Sequence, residues 1–284
     1  MGSYLGEGLT YIPYGATCRL PGGREIPLVV RLPRPGGGEN QTVRALREEK
    51  LLRYLASVEL PFRIPRGMAA LPVEDGLALV QEWVDGIPAD LRASRFPGGR
   101  PWELVAEVAT SIHGLDPEPL RSLLPGPATR RDHARVFARV LESVSGCEGE
   151  DMRAWVREHL PPEEPSRILH GDLLGQNLLL PWEEEGPGVV DWAEAALGDP
   201  AYDLAIVTRG VRHPFQAPGG LHRLLKKYAG GGGQPISATQ VHLHELFLRC
   251  KLYLDAAERS GLRSPHARDL RRAMMGVFHR AQKA

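Results

Sequence analysis

The spacing of apolar positions gives the chain two textures. Up to about residue 84 it predicts short strands: "EIPLVVRLP" is a β-branched and aliphatic run bounded by Gly-Gly and Pro, and "GLALVQEWV" is another, opened by Asp75-Gly76. One helix lies between them. In "TVRALREEKLLRYLASV" the residues Val43, Leu46, Leu51, Leu52, Leu55 and Val58 recur at roughly helical spacing, and "LPFRIP" ends the run. Beyond Asp85-Gly86 the period lengthens. "PWELVAEVATSIHGL" carries Val105, Val108, Ala109 and Ile112 on one face, and "DHARVFARVLESV", "DMRAWVREHL", "LHRLLKKYA", "SATQVHLHELFLRCKLYLDAAERSG" and "HARDLRRAMMGVFHRAQKA" read as further helices. Two aliphatic runs, "NLLL" and "GVVDW", interrupt this region and predict a small hairpin.

This pattern predicts an α+β chain of two lobes, a β-rich one over residues 1–84 and a larger, mainly helical one over residues 85–284. At 284 residues there is ample length to bury a core. No internal repeat is present, and "LPRPGGG", "PGGRP" and "LLPGP" are too short to link independent domains.

Composition narrows the function classes. Lys plus Arg (35) equals Asp plus Glu (35), so bulk charge gives no argument for nucleic acid or an acidic membrane surface. The distribution is uneven: Glu142 to Asp203 holds 15 acids against 3 bases, whereas Leu204 to Ala284 holds 4 acids against 14 bases. An acidic block in a neutral chain suits a bound cation, or simply a solvated surface. Three cysteines, Cys18, Cys147 and Cys250, are odd in number, far apart and without a CxxC, which points away from a disulfide framework or zinc site. The N-terminus lacks a basic start followed by an apolar run, and nowhere are 18 apolar residues consecutive, so a cytoplasmic location is expected.

The acidic block contains "ILHGDLLGQNLLL", Ile168 to Leu180. Phosphoryl transfer from a nucleotide needs a group to orient and deprotonate the attacking hydroxyl, oxygen ligands for Mg²⁺ and a cover over the phosphates. Asp172 suits the first task, and Asn177, five residues on, can offer its amide oxygen to the metal, as in the spacing H-R-D-x-x-x-x-N. His170 is expected to support the loop by hydrogen bonding. A second hard oxygen ligand should end a neighbouring strand, and Asp191 closes the run Gly188-Val189-Val190.

With these residues the chain resembles the aminoglycoside phosphotransferase family, which has choline-kinase-like relatives and a protein-kinase-like bilobal fold. The resemblance covers nearly the whole chain and rests on "HGDLLGQNLLL" and "VVDWAEAALGDPAYDLA". It implies that "LGEGLTYIPY" covers the phosphates through Gly6 and Gly8, that "LVVRLPR" offers a cation to them, with Glu48 as its helix partner, and that the backbone of Glu82 and Val84 in "QEWVDG" holds the base. The cation is Arg31 where the family usually has lysine, and the strand before the covering loop is nearly absent. Asp199 and Asp203 match the signature that follows, whose aspartate is read as structural.

The expected activity is Mg²⁺-dependent transfer of the γ-phosphoryl of ATP, or GTP, to a hydroxyl of an aminoglycoside-like antibiotic or another small molecule. The rivals are a weakly catalytic nucleotide-binding protein and a kinase of a non-antibiotic metabolite. A protein kinase fits less well because no HRD, DFG and APE set is present, and the P-loop pattern GxxxxGK followed by Ser or Thr is absent. A polycationic acceptor should meet carboxylates, for which Glu194, Glu245, Asp255 and Glu258 are the candidates, although the last eighty or so residues are basic on balance. In "HLHE", His242 and His244 lie two apart and would diverge on a helix, so they are read as structural or substrate-lining. Trp83, Trp155 and Trp192 are read as packing residues, with Trp83 beside the base site. No nucleic-acid or membrane partner is expected, and the sequence does not specify an oligomeric state.

Overall fold

The computed structural model describes residues 3–4, 11–35, 38–93, 95–144, 147–182, 185–262 and 264–284. Gly6 and Gly8 lie outside them. The chain forms two compact units: Met1–Ala89 with Ser122–Leu124 and Gln176–Ala195, and the remainder.

The first unit is built on a five-stranded antiparallel sheet. Strands β1 (Ser3–Tyr4), β2 (Tyr11–Arg19), β3 (Glu25–Pro33), β4 (Gly67–Val73) and β5 (Gly76–Glu82) lie in the order β1-β2-β3-β5-β4. β3 is central, and its register sets Arg31 opposite Pro13 on β2 and Leu79 on β5. Helix α1 (Gly38–Leu55) packs on β4 and β5. Its buried face keeps Leu51, Leu52 and Leu55 of the apolar stripe that spacing predicts and departs from it in the first turns. Val43 and Leu46 are exposed, whereas Gln41, Ala45, Glu48, Glu49, Leu52 and Leu55 are buried. The helix is rotated about its axis so that Glu48 meets a cation on the sheet, and hydropathy counting does not anticipate a buried charge that has a partner.

The expected hairpin forms in this same unit: β8 (Leu178–Leu180) pairs with β9 (Gly188–Val189), and β6 (Ile87–Pro88) adds to its other edge. The chain therefore stays in the first unit to Ala89, beyond the expected boundary at residue 84. Gly86 explains the extension. At φ 142° it runs so close to β8 that a Cβ there would lie 2.7 Å from the Leu180 carbonyl oxygen, a path open only to glycine.

The second unit is mainly helical, with α2 (Pro101–His113), α3 (Arg130–Leu141), α4 (Cys147–Glu158), α5 (Ala201–Thr208), α6 (Gly220–Gly230), α7 (Ala238–Ser260) and α8 (Pro265–Ala281). Val105, Val108, Ala109 and Ile112 are all buried, as their period predicts. The starts of α3, α7 and α8 are fixed by Thr129, Ser237 and Ser264, whose hydroxyls accept from backbone N–H groups. Phe137, Leu141, Met152, Trp155, Leu246, Cys250, Tyr253, Met274 and Phe278 fuse α3, α4, α7 and α8 into one core, each large apolar side chain contributing about 1.5–3 kcal/mol. Two three-residue strands, β7 (Arg167–Leu169) and β10 (Ala196–Gly198), pair antiparallel. Among the described residues no helix is long and apolar enough to cross a membrane.

Candidate functional site

In the first unit the expected phosphate-binding cation sits in a carboxylate clasp. Nη1 of Arg31 bonds Glu48 Oε1, and Nη2 donates to Asp191 Oδ1 at 3.0 Å. Tyr11 stacks on the guanidinium at 4.9 Å, and its hydroxyl donates to the Gln41 carbonyl at 3.1 Å. Burial opposes the charge on Arg31, but Glu48 and Asp191 outweigh it and raise the guanidinium pKa further, so the group stays cationic. Gln81 donates to the same Glu48 oxygen at 3.4 Å, while Glu48 Oε2 is buried without a hydrogen-bond partner.

Asp191 ends the hairpin with φ 64°, a left-handed conformation costly for a side-chain-bearing residue. Its neighbour Val190 donates its N–H to the Asn177 carbonyl at 3.0 Å, and Leu178 pairs with Val189, so the hairpin ladder fixes Asn177 and Asp191 on adjacent strand ends. Carboxylate and amide oxygens suit Mg²⁺, which takes hard oxygen ligands and completes its shell with substrate phosphates and water. Among the described residues there is no group of three or more His, Cys, Asp or Glu that could hold a metal ion. Of the expected base-binding residues, Glu82 closes β5 with its N–H donating to the Arg66 carbonyl at 2.9 Å, and Val84 follows, half-buried.

In the second unit, the His170-Gly171-Asp172 turn follows β7 directly and is held by one buried carboxylate. Asp203, on α5, accepts the backbone N–H of His170 at 2.8 Å and of Gly171 at 2.9 Å. Gly171 has φ 79°, which glycine adopts without the Cβ penalty. The fully buried His170 accepts the Asp172 N–H on its Nδ1 at 3.3 Å, and so supports the loop as expected. Asp172 is half-buried, and its carbonyl accepts Leu174 N–H at 2.7 Å.

Behind the turn lies a polar network that sequence reading missed in part. Asp203 also receives His113 Nε2 at 3.1 Å, and His113 Nδ1 meets the Tyr228 hydroxyl at 2.9 Å. Asp199 receives Arg130 Nε and His244 Nε2, both at 2.9 Å, and its own N–H donates to His133 Nδ1 at 2.9 Å. Burial pushes the Asp199 pKa up, but His244 and Arg130 overcome it and bring the carboxyl down to about 2. His133 is lowered to about 3 by burial and by His244, so it is neutral near pH 7. His113 follows an apolar helical stripe and Tyr228 lies 115 residues later, so no local signal joins them.

The expected acceptor carboxylates differ in their surroundings. Glu245 is buried and doubly engaged, with Thr208 Oγ1 on Oε1 and His242 Nδ1 on Oε2 at 2.7 Å, which makes it a packing carboxylate rather than one offered to a ligand. Glu194 is exposed and pairs with Arg44 at 2.6 Å. Asp255 and Glu258 lie near the end of α7, half-buried and exposed. Trp192 and Trp155 are buried, Trp192 donating to the Val189 carbonyl at 3.1 Å, and Trp83 is exposed. His242 and His244 are occupied by Glu245 and Asp199, which gives "HLHE" a structural role.

A sequence profile of the phosphotransferase enzyme family matches residues 16–234. The chain belongs to this family. The match takes in Arg31, Glu48, Asp172, Asn177 and Asp191 and stops short of α7. A curated relative, the viomycin phosphotransferase of Streptomyces vinaceus, is 33% identical over 173 residues, 55% of this chain; the match spans only 59% of that relative's length. Among solved structures, the macrolide 2′-phosphotransferase of Brachybacterium faecium is 22% identical with a TM-score of 0.68, over 96% of this chain and 91% of the other. The GDP complex of an aminoglycoside 2′-phosphotransferase is 17% identical with a TM-score of 0.70, over 99% and 93%. The family's kinase-like fold, β-rich in one unit and helical in the other, is the one expected.

Proposed function

We propose that this protein is a Mg²⁺-dependent O-phosphotransferase that moves the γ-phosphoryl group of ATP or GTP to a hydroxyl of an antibiotic-like small molecule. The observation that carries the reading is the anchored turn: Asp172, within the stretch that the family profile spans, has its preceding peptides tied to one buried carboxylate, a rigidity that general-base work needs. Asp172 orients the acceptor hydroxyl and takes its proton as the oxygen attacks phosphorus. Arg31, kept cationic by Glu48 and Asp191, steadies phosphate oxygens. Asn177 and Asp191 would hold Mg²⁺, which neutralises phosphate charge. The Gly6-Gly8 segment covers the phosphates, and the Glu82–Val84 backbone meets the base.

The acceptor class follows from the relatives. The viomycin phosphotransferase is similar in sequence, whereas the macrolide and aminoglycoside enzymes share the fold at lower identity. Viomycin is therefore the first acceptor to test. The withdrawal of Glu245 into the core removes one argument for a polycationic aminoglycoside. Purified protein incubated with Mg²⁺, ATP or GTP and viomycin, macrolides or aminoglycosides should release nucleoside diphosphate in step with acceptor phosphorylation. Nucleotide binding without transfer to any of them would overturn the reading in favour of a binding protein.

A further inference from the structure

We propose that Tyr228 and His113 are positioning residues for the catalytic turn, acting through Asp203 as a hydroxyl–imidazole–carboxylate chain; the inference rests on Asp172 acting as proposed above. A carboxylate only accepts, so the 3.1 Å contact to Asp203 Oδ2 makes His113 Nε2 the donor. In the neutral ring Nδ1 then accepts, and the 2.9 Å contact makes the Tyr228 hydroxyl its donor. Burial raises the hydroxyl's pKa, which keeps it protonated as this direction requires.

Every member is buried; donation runs from Tyr228 on α6 through His113 on α2 to Asp203 on α5, and the turn donates to the same carboxylate from its other side. Asp203 spends both oxygens on the His170 and Gly171 N–H groups. His113 is the side chain that stops this carboxylate from rotating about its own Cβ–Cγ bond, which would release one of those peptides. The ring is itself fixed by Tyr228, against which it packs edge-on with ring centres 5.6 Å apart. Tyr228 is anchored in turn, because Gly231 and Gly233 donate to its carbonyl and close the end of α6 beneath it. None of these groups touches a reacting atom, so their contribution should be visible in kcat and not in nucleotide affinity.

The test compares His113→Gln, whose amide nitrogen can reach the Nε2 position and donate to Asp203, with His113→Met, which fills the space but donates nothing. Hydrogen exchange in the full-length protein without ligand should be at least tenfold faster at the His170 and Gly171 amides in His113→Met, and largely restored in His113→Gln. With Mg-ATP or Mg-GTP and viomycin, kcat should fall about a hundredfold in His113→Met with nucleotide KM within threefold of wild type, and His113→Gln should recover most of the loss. Tyr228→Phe, which keeps the packing, should show a smaller loss of the same kind and serves if His113→Met fails to fold. Equal behaviour of the Gln and Met variants, or a Tyr228→Phe protein identical to wild type in both readouts, overturns the proposal. An inactive wild-type protein overturns the functional reading instead, and the exchange arm still decides whether the chain holds the turn.

Discussion

Asp203→Asn replaces a single oxygen, and its cost can be worked from the contacts. The carboxylate accepts two backbone N–H groups at 2.8 and 2.9 Å and His113 at 3.1 Å, all buried. An asparagine offers one oxygen, so its amide nitrogen must face at least one of these donors. A buried donor left unmade costs about 1–3 kcal/mol, and each bond that changes from a charged to a neutral acceptor loses about 1 kcal/mol more. Relief of burying a charge returns part of this, leaving a net loss of about 2–4 kcal/mol. For a protein of this size that is a fall in Tm of roughly 3–7 °C. Thermal and urea unfolding would measure it, and kcat should fall with it.

The pH dependence of that difference is a sharper check. Burial pushes the Asp203 pKa up, yet the hydrogen bonds from His113 and the His170 N–H hold it below the ordinary carboxylate range. The unfolded chain therefore binds this proton more readily than the folded one. The stabilisation is fully present above about pH 4 and is lost as pH falls through the lower folded value. The gap between wild type and Asp203→Asn should be widest near neutrality and narrow below about pH 4. A variant within about 0.5 kcal/mol of wild type at pH 7 would refute the claim that this carboxylate holds the turn.

Other outcomes follow from the same contacts. His133 folds with its pKa near 3, below its unfolded value, so stability should decline as pH falls from about 6.5 at up to roughly 1.4 kcal/mol per unit; His133→Phe should flatten that decline in urea titrations, and unchanged slopes would count against it. Glu245→Ala should cost about 2 kcal/mol by truncating a buried side chain and removing the partner of His242, while the Thr208 hydroxyl keeps the Leu204 carbonyl at 3.0 Å, with acceptor KM unchanged; a stable variant with a raised acceptor KM would restore the carboxylate to substrate binding. Arg31→Lys gives up the fork that spans Glu48 and Asp191 and should weaken Mg-nucleotide binding about tenfold by calorimetry; unchanged or tighter binding would show that a point charge suffices.

What could be read from the sequence was what depends on near neighbours. The helical stripe of α2 and the hairpin of β8 and β9 are written in short periods, and Asp172, Asn177 and Asp191 fall at fixed offsets within about twenty residues. The features that were not legible depend on distant partners. β7 and β10 are three residues each and exist because they pair with one another. α1 buries Glu48 over Val43 because Arg31 stands on β3, a fact no window along the helix contains. Glu245 reads as an acceptor-binding carboxylate until Thr208, 37 residues earlier, is brought against it. The residues behind the His170-Gly171-Asp172 turn, His113 and Tyr228, carry no motif and are joined only by the packing of α2 on α6.

The most direct test of the whole account is transfer of labelled γ-phosphate from ATP or GTP to viomycin and the other acceptors, by wild type and by Asp172→Ala, with nucleotide binding measured alongside. The account predicts acceptor-dependent transfer by wild type, and its loss by at least about a thousandfold in Asp172→Ala with nucleotide affinity nearly unchanged. Undiminished transfer by Asp172→Ala would contradict it.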